Sequence, residues 1–277
     1  MIELPSTFII TVIIGSALAG LACSLIGTFI VQMDLTSIGF SMSHAAFAGA
    51  ALGLLIPVNP TITAIGFALL VALLLGPISE KAKLSPGVII GVSFPISMAL
   101  AFIFINLQPT AATSEALNLL WGNLYSLTVP DLAYLSILSA GMILIITVFK
   151  KEFLSILFDK KMAKASGINT RPFYFSILFL TGLTVAVSLK FIGGLLVYAL
   201  IVNTAASAYQ FTYDIKKMFI LSPIIGIICS LSGTWLSLQL NTPIGTSIVI
   251  MTAIVFTLSV LFSRKRGKGG GILPLHQ

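Results

Sequence analysis

The chain has 277 residues, of which 57% are hydrophobic and only 8% charged, with a net charge of +7; its mean hydropathy is +1.10. So little charge cannot cover a soluble domain of this size, and that class is excluded. The apolar runs are continuous in Leu, Ile, Val, Ala and Phe without period two, which excludes a transmembrane barrel and leaves an all-α polytopic membrane protein.

A hydrocarbon core of about 30 Å takes about 20 helical residues at about 1.5 Å each. On that measure about nine transmembrane helices are expected, near 8–32, 38–56, 60–79, 88–107, 131–149, 173–190, 194–209, 219–239 and 244–262. They form one transmembrane domain over 1–263, with 264–277 as a tail expected to be disordered. The first run, about Phe8 to Val31, is too long for a signal-peptide core and has no basic region before it, so it reads as a retained span. Breakers punctuate the rest: Pro57 and Pro60, Ser85-Pro86-Gly87, Pro109, Pro130, Gly193-Gly194, and Pro243 with Gly245. The 173–209 pair reads as tilted or broken. Cys23 and Cys229 both fall inside spans and read as packing residues rather than a disulfide or thiolate site.

The second span holds His44, the only histidine, acid or base lying well inside an apolar stretch. A polar ring at bilayer depth is costly and marks a functional position. Ser37, Ser41, His44, Ala48 and Ala51 share one helical face, bordered by Phe40 and Phe47. Gly49 and Gly53 make a small-xxx-small pair that permits close helix approach. Farther along, Trp121-Gly122-Asn123-Leu124-Tyr125 reads as a short outer amphipathic helix or a re-entrant one. Glu115 and Asp131 lie on the same side, either as solvated acids or as cation acceptors at a mouth.

The basic residues orient the chain. With a cytoplasmic C-terminus the inner segments are 33–37, 80–87, 150–172, 210–218 and 263–277, and they hold every Lys and Arg of the 15 except Lys190. The positive-inside rule then puts the N-terminus outside, and Lys190 is expected to snorkel to the headgroups. The positive charge is an orientation signal and not a nucleic-acid footprint.

The longest inner loop runs from Lys150 to Pro172. Asp159 reads as a helix N-cap and Gly167 as the C′ residue, with Lys160, Lys161 and Lys164 between them. The outcome is a short helix facing the cytosol, either an ordinary solvated loop or an element that docks on a soluble subunit.

Three stretches together resemble the permease subunits of ABC transporters for metal ions (zinc, manganese, iron), a branch of the type II importers. They are Ser43-His44-Ala45 with Gly49 and Leu52-Gly53; Asp159 to Gly167, then Lys190 and Gly193 to Val202 ahead of Ala205-Ala206; and Asn241-Thr242-Pro243-Ile244-Gly245. The resemblance implies an ATP-driven importer of divalent metal ions, with its pathway at a homodimer interface. It implies two cytoplasmic ATP-binding subunits, a second copy of the permease, and an extracytoplasmic metal-binding protein, all in a prokaryotic cell membrane. It also implies that Asp159, Ala163, Ala165, Ser166 and Gly167 couple the chain to the ATPase. The transported divalent metal is the expected ligand, with no cofactor bound permanently. No G-x-x-x-x-G-K-[ST] phosphate loop is present, so ATP hydrolysis is not expected of this chain.

Two positions depart from the family pattern. Phe40 stands where an acidic residue commonly precedes the histidine by one turn, and Asn203-Thr204 stands where proline commonly precedes Ala-Ala. His44 then reads as a packed neutral imidazole, as a transient metal ligand or gate residue, or as a proton relay, with Ser41, Asn203 and Thr204 as helpers along the pathway. A weak site suits transit, since an ion must leave as well as enter. Rival readings are an ion-coupled secondary transporter, which calls for more acids within the spans, a membrane enzyme, and an ABC permease for a metal chelate.

Overall fold

Every regular element among the described residues is a helix. The computed structural model describes residues 6–56, 58–83, 86–108, 118–119, 121–123, 128–194 and 196–263. In chain order the helices are α1 (Ser6–Gln32), α2 (Thr36–Leu55), α3 (Pro60–Ala82), α4 (Pro86–Asn106), α5 (Val129–Val148), α6 (Lys150–Phe158), α7 (Lys160–Ala165), α8 (Thr170–Ile192), α9 (Val197–Phe211), α10 (Ile215–Leu240) and α11 (Ile244–Leu261). The tail expected at 264–277 lies outside the described residues, as do Glu115 and most of 108–130.

Prolines and glycines set many of the ends. Pro60 and Pro86 open α3 and α4, where a missing N–H costs nothing. Gly193, at φ +99°, closes α8, and Asn241, at φ +50°, closes α10 in the left-handed region. A helix lies on each of the nine stretches read as spans. On length and hydropathy six of them are candidate crossings among the described residues: α1 from Phe8, α2, α5, α8, α10 and α11. α3 and α4 carry shorter apolar stretches, Pro60–Leu74 and Ile90–Asn106. α9 has 15 residues, about 22 Å, which falls short of a hydrocarbon core.

α2 is the buried axis. Every residue from Ser41 to Ala51 is buried, and the helix packs on α3, α4 and α8. That explains why its residues show no apolar stripe: a helix covered on all sides needs none. Gly49 and Gly53 set the approach to α3. A Cβ on Gly49 would come within 2.8 Å of Phe67 Cβ, and one on Gly53 within 2.8 Å of Pro60 Cα.

α1 and α10 form the second seam, through small residues and hydroxyls. Gly20 faces Gly226 so closely that a Cβ on either would meet the other's carbonyl oxygen. Ser230 donates to the Ser16 carbonyl at 2.7 Å, Ser222 to the Ser24 carbonyl at 2.9 Å, and the Ser16 and Thr234 hydroxyls share a bond of 2.7 Å. Between apolar tails and apolar side chains there is little hydrophobic drive, so close backbone approach and hydroxyl bonds supply the adhesion.

Both cysteines are free and buried, as packing residues should be; the Cys23 thiol donates to Ser188 Oγ at 3.6 Å.

Candidate functional site

α2 brings His44 to the centre of the α2–α4 contact, 3% exposed. Its ring sits edge-on between Phe40 (centroids 4.5 Å, 72°) and Phe94 of α4 (4.5 Å, 69°). Tyr198 of α9 closes the cage against Phe40 at 5.3 Å, and its hydroxyl donates to the Thr36 carbonyl at 2.5 Å. Ser41, one turn before His44, shares a hydroxyl bond of 2.9 Å with Ser93 and so ties α2 to α4. Phe94 and Ser93 were not read from the sequence. Nothing local marks them, because it is the packing of α4 on α2 that gives them their place.

His44 Nδ1 is buried with no hydrogen-bond partner. Such an orphan costs about 1–3 kcal/mol, which the fold retains where a packed phenylalanine would avoid it. No group of three His, Cys, Asp or Glu side chains converges on a common point among the described residues. The site is therefore one unpartnered imidazole nitrogen in an aromatic cage, with no cluster of metal-ligating side chains among the described residues.

Asn203 and Thr204 are engaged elsewhere. Asn203 Nδ2 donates to Thr252 Oγ1 of α11 at 3.1 Å. Buried Thr204 turns back on its own helix, donating to the Leu200 carbonyl at 2.8 Å.

A second locus is the segment α6–α7. α6 continues α5 across the single joint residue Phe149 and was not read from the sequence, where 150–172 was one loop. It buries Phe153 and Ile156. Phe153 packs edge-to-face on Phe29 of α1 (5.0 Å) and Phe173 of α8 (5.2 Å). The Asp159 carboxylate then accepts the backbone N–H groups of Lys161 (2.7 Å) and Met162 (2.8 Å), capping α7. Gly167, at φ +86°, reverses the chain, and Ile168 N–H returns to the Ala163 carbonyl at 3.1 Å. Ala163 is buried, Ala165, Ser166 and Gly167 are exposed, and Lys160 Nζ lies 4.8 Å from the Tyr174 ring centre. Phe158 and Met162 are left 79% and 63% exposed at the turn. The result is an elbow held by apolar anchors and ending in a surface with exposed apolar and basic groups.

At the opposite end, Lys190 does not snorkel free. It pairs with Asp131 at 2.9 Å, because α8 ends beside the first turn of α5. Asp131 also accepts the Thr128 N–H (2.9 Å) and hydroxyl (2.6 Å), so it is neither a merely solvated acid nor an open cation acceptor. Nearby, Gly194 N–H donates to the Leu119 carbonyl at 2.8 Å. Gly122, at φ +74°, lies against the carbonyl end of α8, where a Cβ would strike Phe191 and Ile192. The described part of the 118–123 segment is thus docked on the α8–α9 break.

A multi-pass helical bundle, with a capped elbow at its basic end and a buried polar ring at its axis, is the architecture of a polytopic membrane protein. The sequence profile of the ABC 3 transport family matches residues 6–263, and the chain belongs to that family. It is similar to the manganese transport system membrane protein MntC of Listeria innocua, 29% identical over 94% of this chain and 92% of that one. It is also similar to the high-affinity zinc uptake system membrane protein ZnuB of Haemophilus influenzae, 29% identical over 92% and 98%. Among solved structures, a chain of PsaBC from Streptococcus pneumoniae, in complex with Fab, superposes with a TM-score of 0.86 at 26% identity, covering 94% of each chain. The protein is an ABC transporter permease of a prokaryotic cell membrane.

Proposed function

We propose that this chain is the permease of an ATP-driven importer of divalent metal ions, with its N-terminus outside and its C-terminus cytoplasmic. The observation that carries the reading is the family match along nearly the whole chain, with similarity to manganese and zinc permeases over more than nine-tenths of its length. The basic residues support the orientation: Lys81, Lys83, Lys150, Lys160, Arg171 and Lys216 sit at one end of the bundle and Lys190 at the other.

In this reading two copies pair, and α6–α7 receives force from a separate ATP-binding subunit through its exposed tip at Phe158 and Met162. An extracytoplasmic protein delivers the ion. His44 Nδ1 is the transient ligand, and its lack of a partner supports that role. A cargo ion reaches it only when α4 moves away from α2, since the ring is buried inside one copy. The Ser41–Ser93 bond, worth about 1 kcal/mol, and the Phe40–Phe94 contact must then part. Imidazole suits zinc well and manganese less selectively, so zinc is the cargo to test first.

The test is uptake by vesicles carrying the permease with its ATP-binding subunit, supplied with the extracytoplasmic metal-binding protein. Zinc accumulation should require ATP inside the hydrolysing compartment and should survive collapse of proton and sodium gradients. Uptake that follows an ion gradient and ignores ATP would end this reading in favour of a secondary transporter.

A further inference from the structure

Between α1, α5, α6 and α10, at the basic end of the bundle, lies a groove of about 430 Å³. Its floor is apolar: Leu25 of α1, Ile143 of α5, Phe153 of α6 and Ile220 of α10. Its rim carries two lysines from different helices, Lys150 at the start of α6 and Lys216 at the start of α10. Ile143 and Ile220 are 46% and 63% exposed, so the groove opens sideways, toward the lipid that surrounds a spanning bundle. Along α5 and α10 the floor runs about 6–10 Å inward from the lysines, at about 1.5 Å per residue.

The charges at the rim are not neutralised by the protein. Neither lysine makes an ion pair among the described residues. The neighbouring acid, Asp214, is engaged as the N-cap of α10, accepting the Lys216 N–H at 2.9 Å. Glu152 lies two residues from Lys150, a spacing that does not bring side chains together on a helix. A second groove on the same α1–α10 pair, at the far end by Phe8, Val12, Leu231 and Trp235, has an apolar lining and no cation. What distinguishes the basic-end groove is therefore the conjunction of an apolar floor with two rim cations that make no ion pair among the described residues.

We propose that this groove is a specific binding site for an anionic phospholipid of the leaflet on the basic side. An acyl chain lies along the floor, and the phosphate sits at the rim with Lys150 and Lys216. Phe153 belongs at once to this floor and to the anchor that holds α6 on Phe29 and Phe173, so the bound lipid touches the elbow that leads to Asp159.

The test is lipid titration of the delipidated full-length permease, followed by native mass spectrometry, which reads binding without any transport assay. Dioleoyl phosphatidylglycerol should bind more tightly than dioleoyl phosphatidylcholine. The double variant Lys150→Gln with Lys216→Gln should weaken phosphatidylglycerol binding on the order of 25-fold, from about fivefold per lysine near a membrane surface. The control pair Lys81→Gln with Lys83→Gln, basic but outside the groove, should change it by less than about twofold. Ile220→Trp, a change at an exposed position, should fill the floor and weaken the same binding. Equal loss in both lysine pairs would mean a diffuse basic surface, and would overturn the proposal. So would phosphatidylcholine binding as tight as phosphatidylglycerol, or free glycerol phosphate competing as well as the whole lipid.

Discussion

His44 pairs a costly side chain with an inexpensive replacement. Its ring packs between two phenylalanines at 4.5 Å, and its Nδ1 has no hydrogen bond to lose. A phenylalanine there would keep the edge-to-face contacts and remove the orphan nitrogen. His44→Phe should therefore fold at least as well as the parent, with a thermal midpoint in detergent unchanged or higher, while metal uptake falls by an order of magnitude or more. Unimpaired uptake would reduce His44 to a packing residue. The position was legible in the sequence because a lone polar ring stands out in an apolar run. Its surroundings were not: Phe94 and Ser93 lie about 50 residues away and meet it only through packing. Asn203 bonds across helices to Thr252, and Thr204 bonds back to its own helix, bonds that polar residues in a span make as readily as they line a path.

At the scale of the element, α7 is too short to be stable alone. Its existence depends on the Asp159 cap, the turn at Gly167 and the anchors of α6. Asp159→Ala should remove about 1 kcal/mol of local stability. The expected readout is an amide exchange rate in Lys161 and Met162 about fivefold higher, from the same capping energy, with the transmembrane helices unaffected. Unchanged exchange at those two amides would mean that the apolar anchors alone hold the elbow. Both caps could be read locally, because Asp159 and Gly167, flanking a six-residue helix, act through the backbone. α6 could not, since its reason for being helical is Phe153 burying itself against Phe29 and Phe173.

Over the whole molecule, adhesion comes from closeness rather than from apolar stripes. α2 meets α3 through Gly49 and Gly53, and α1 meets α10 through Gly20, Gly226 and five hydroxyl-bearing residues. Gly49→Val would set branched carbons against the Thr63 carbonyl and Phe67, in a helix buried all round. An overpacking cost of about 1–3 kcal/mol follows, expected as a lower thermal midpoint and a larger aggregated fraction on gel filtration. Gly66→Val, where a Cβ meets nothing within 4 Å, is the matched control and should leave both unchanged. If the two variants behave alike, close approach at Gly49 is not what joins α2 to α3. The sequence by itself determined the class, the positions of the long apolar helices and the caps of α7, because hydropathy, breakers and capping act over a few neighbouring residues. Only the tertiary structure decided that α2 is the buried axis, that Lys190 pairs with Asp131 instead of reaching for headgroups, and that His44 stands in an aromatic cage. The physical reason is that helices in a bilayer are apolar all round, so periodicity does not reveal which faces meet. Their neighbours are chosen by close contacts of small and polar groups far apart in the chain.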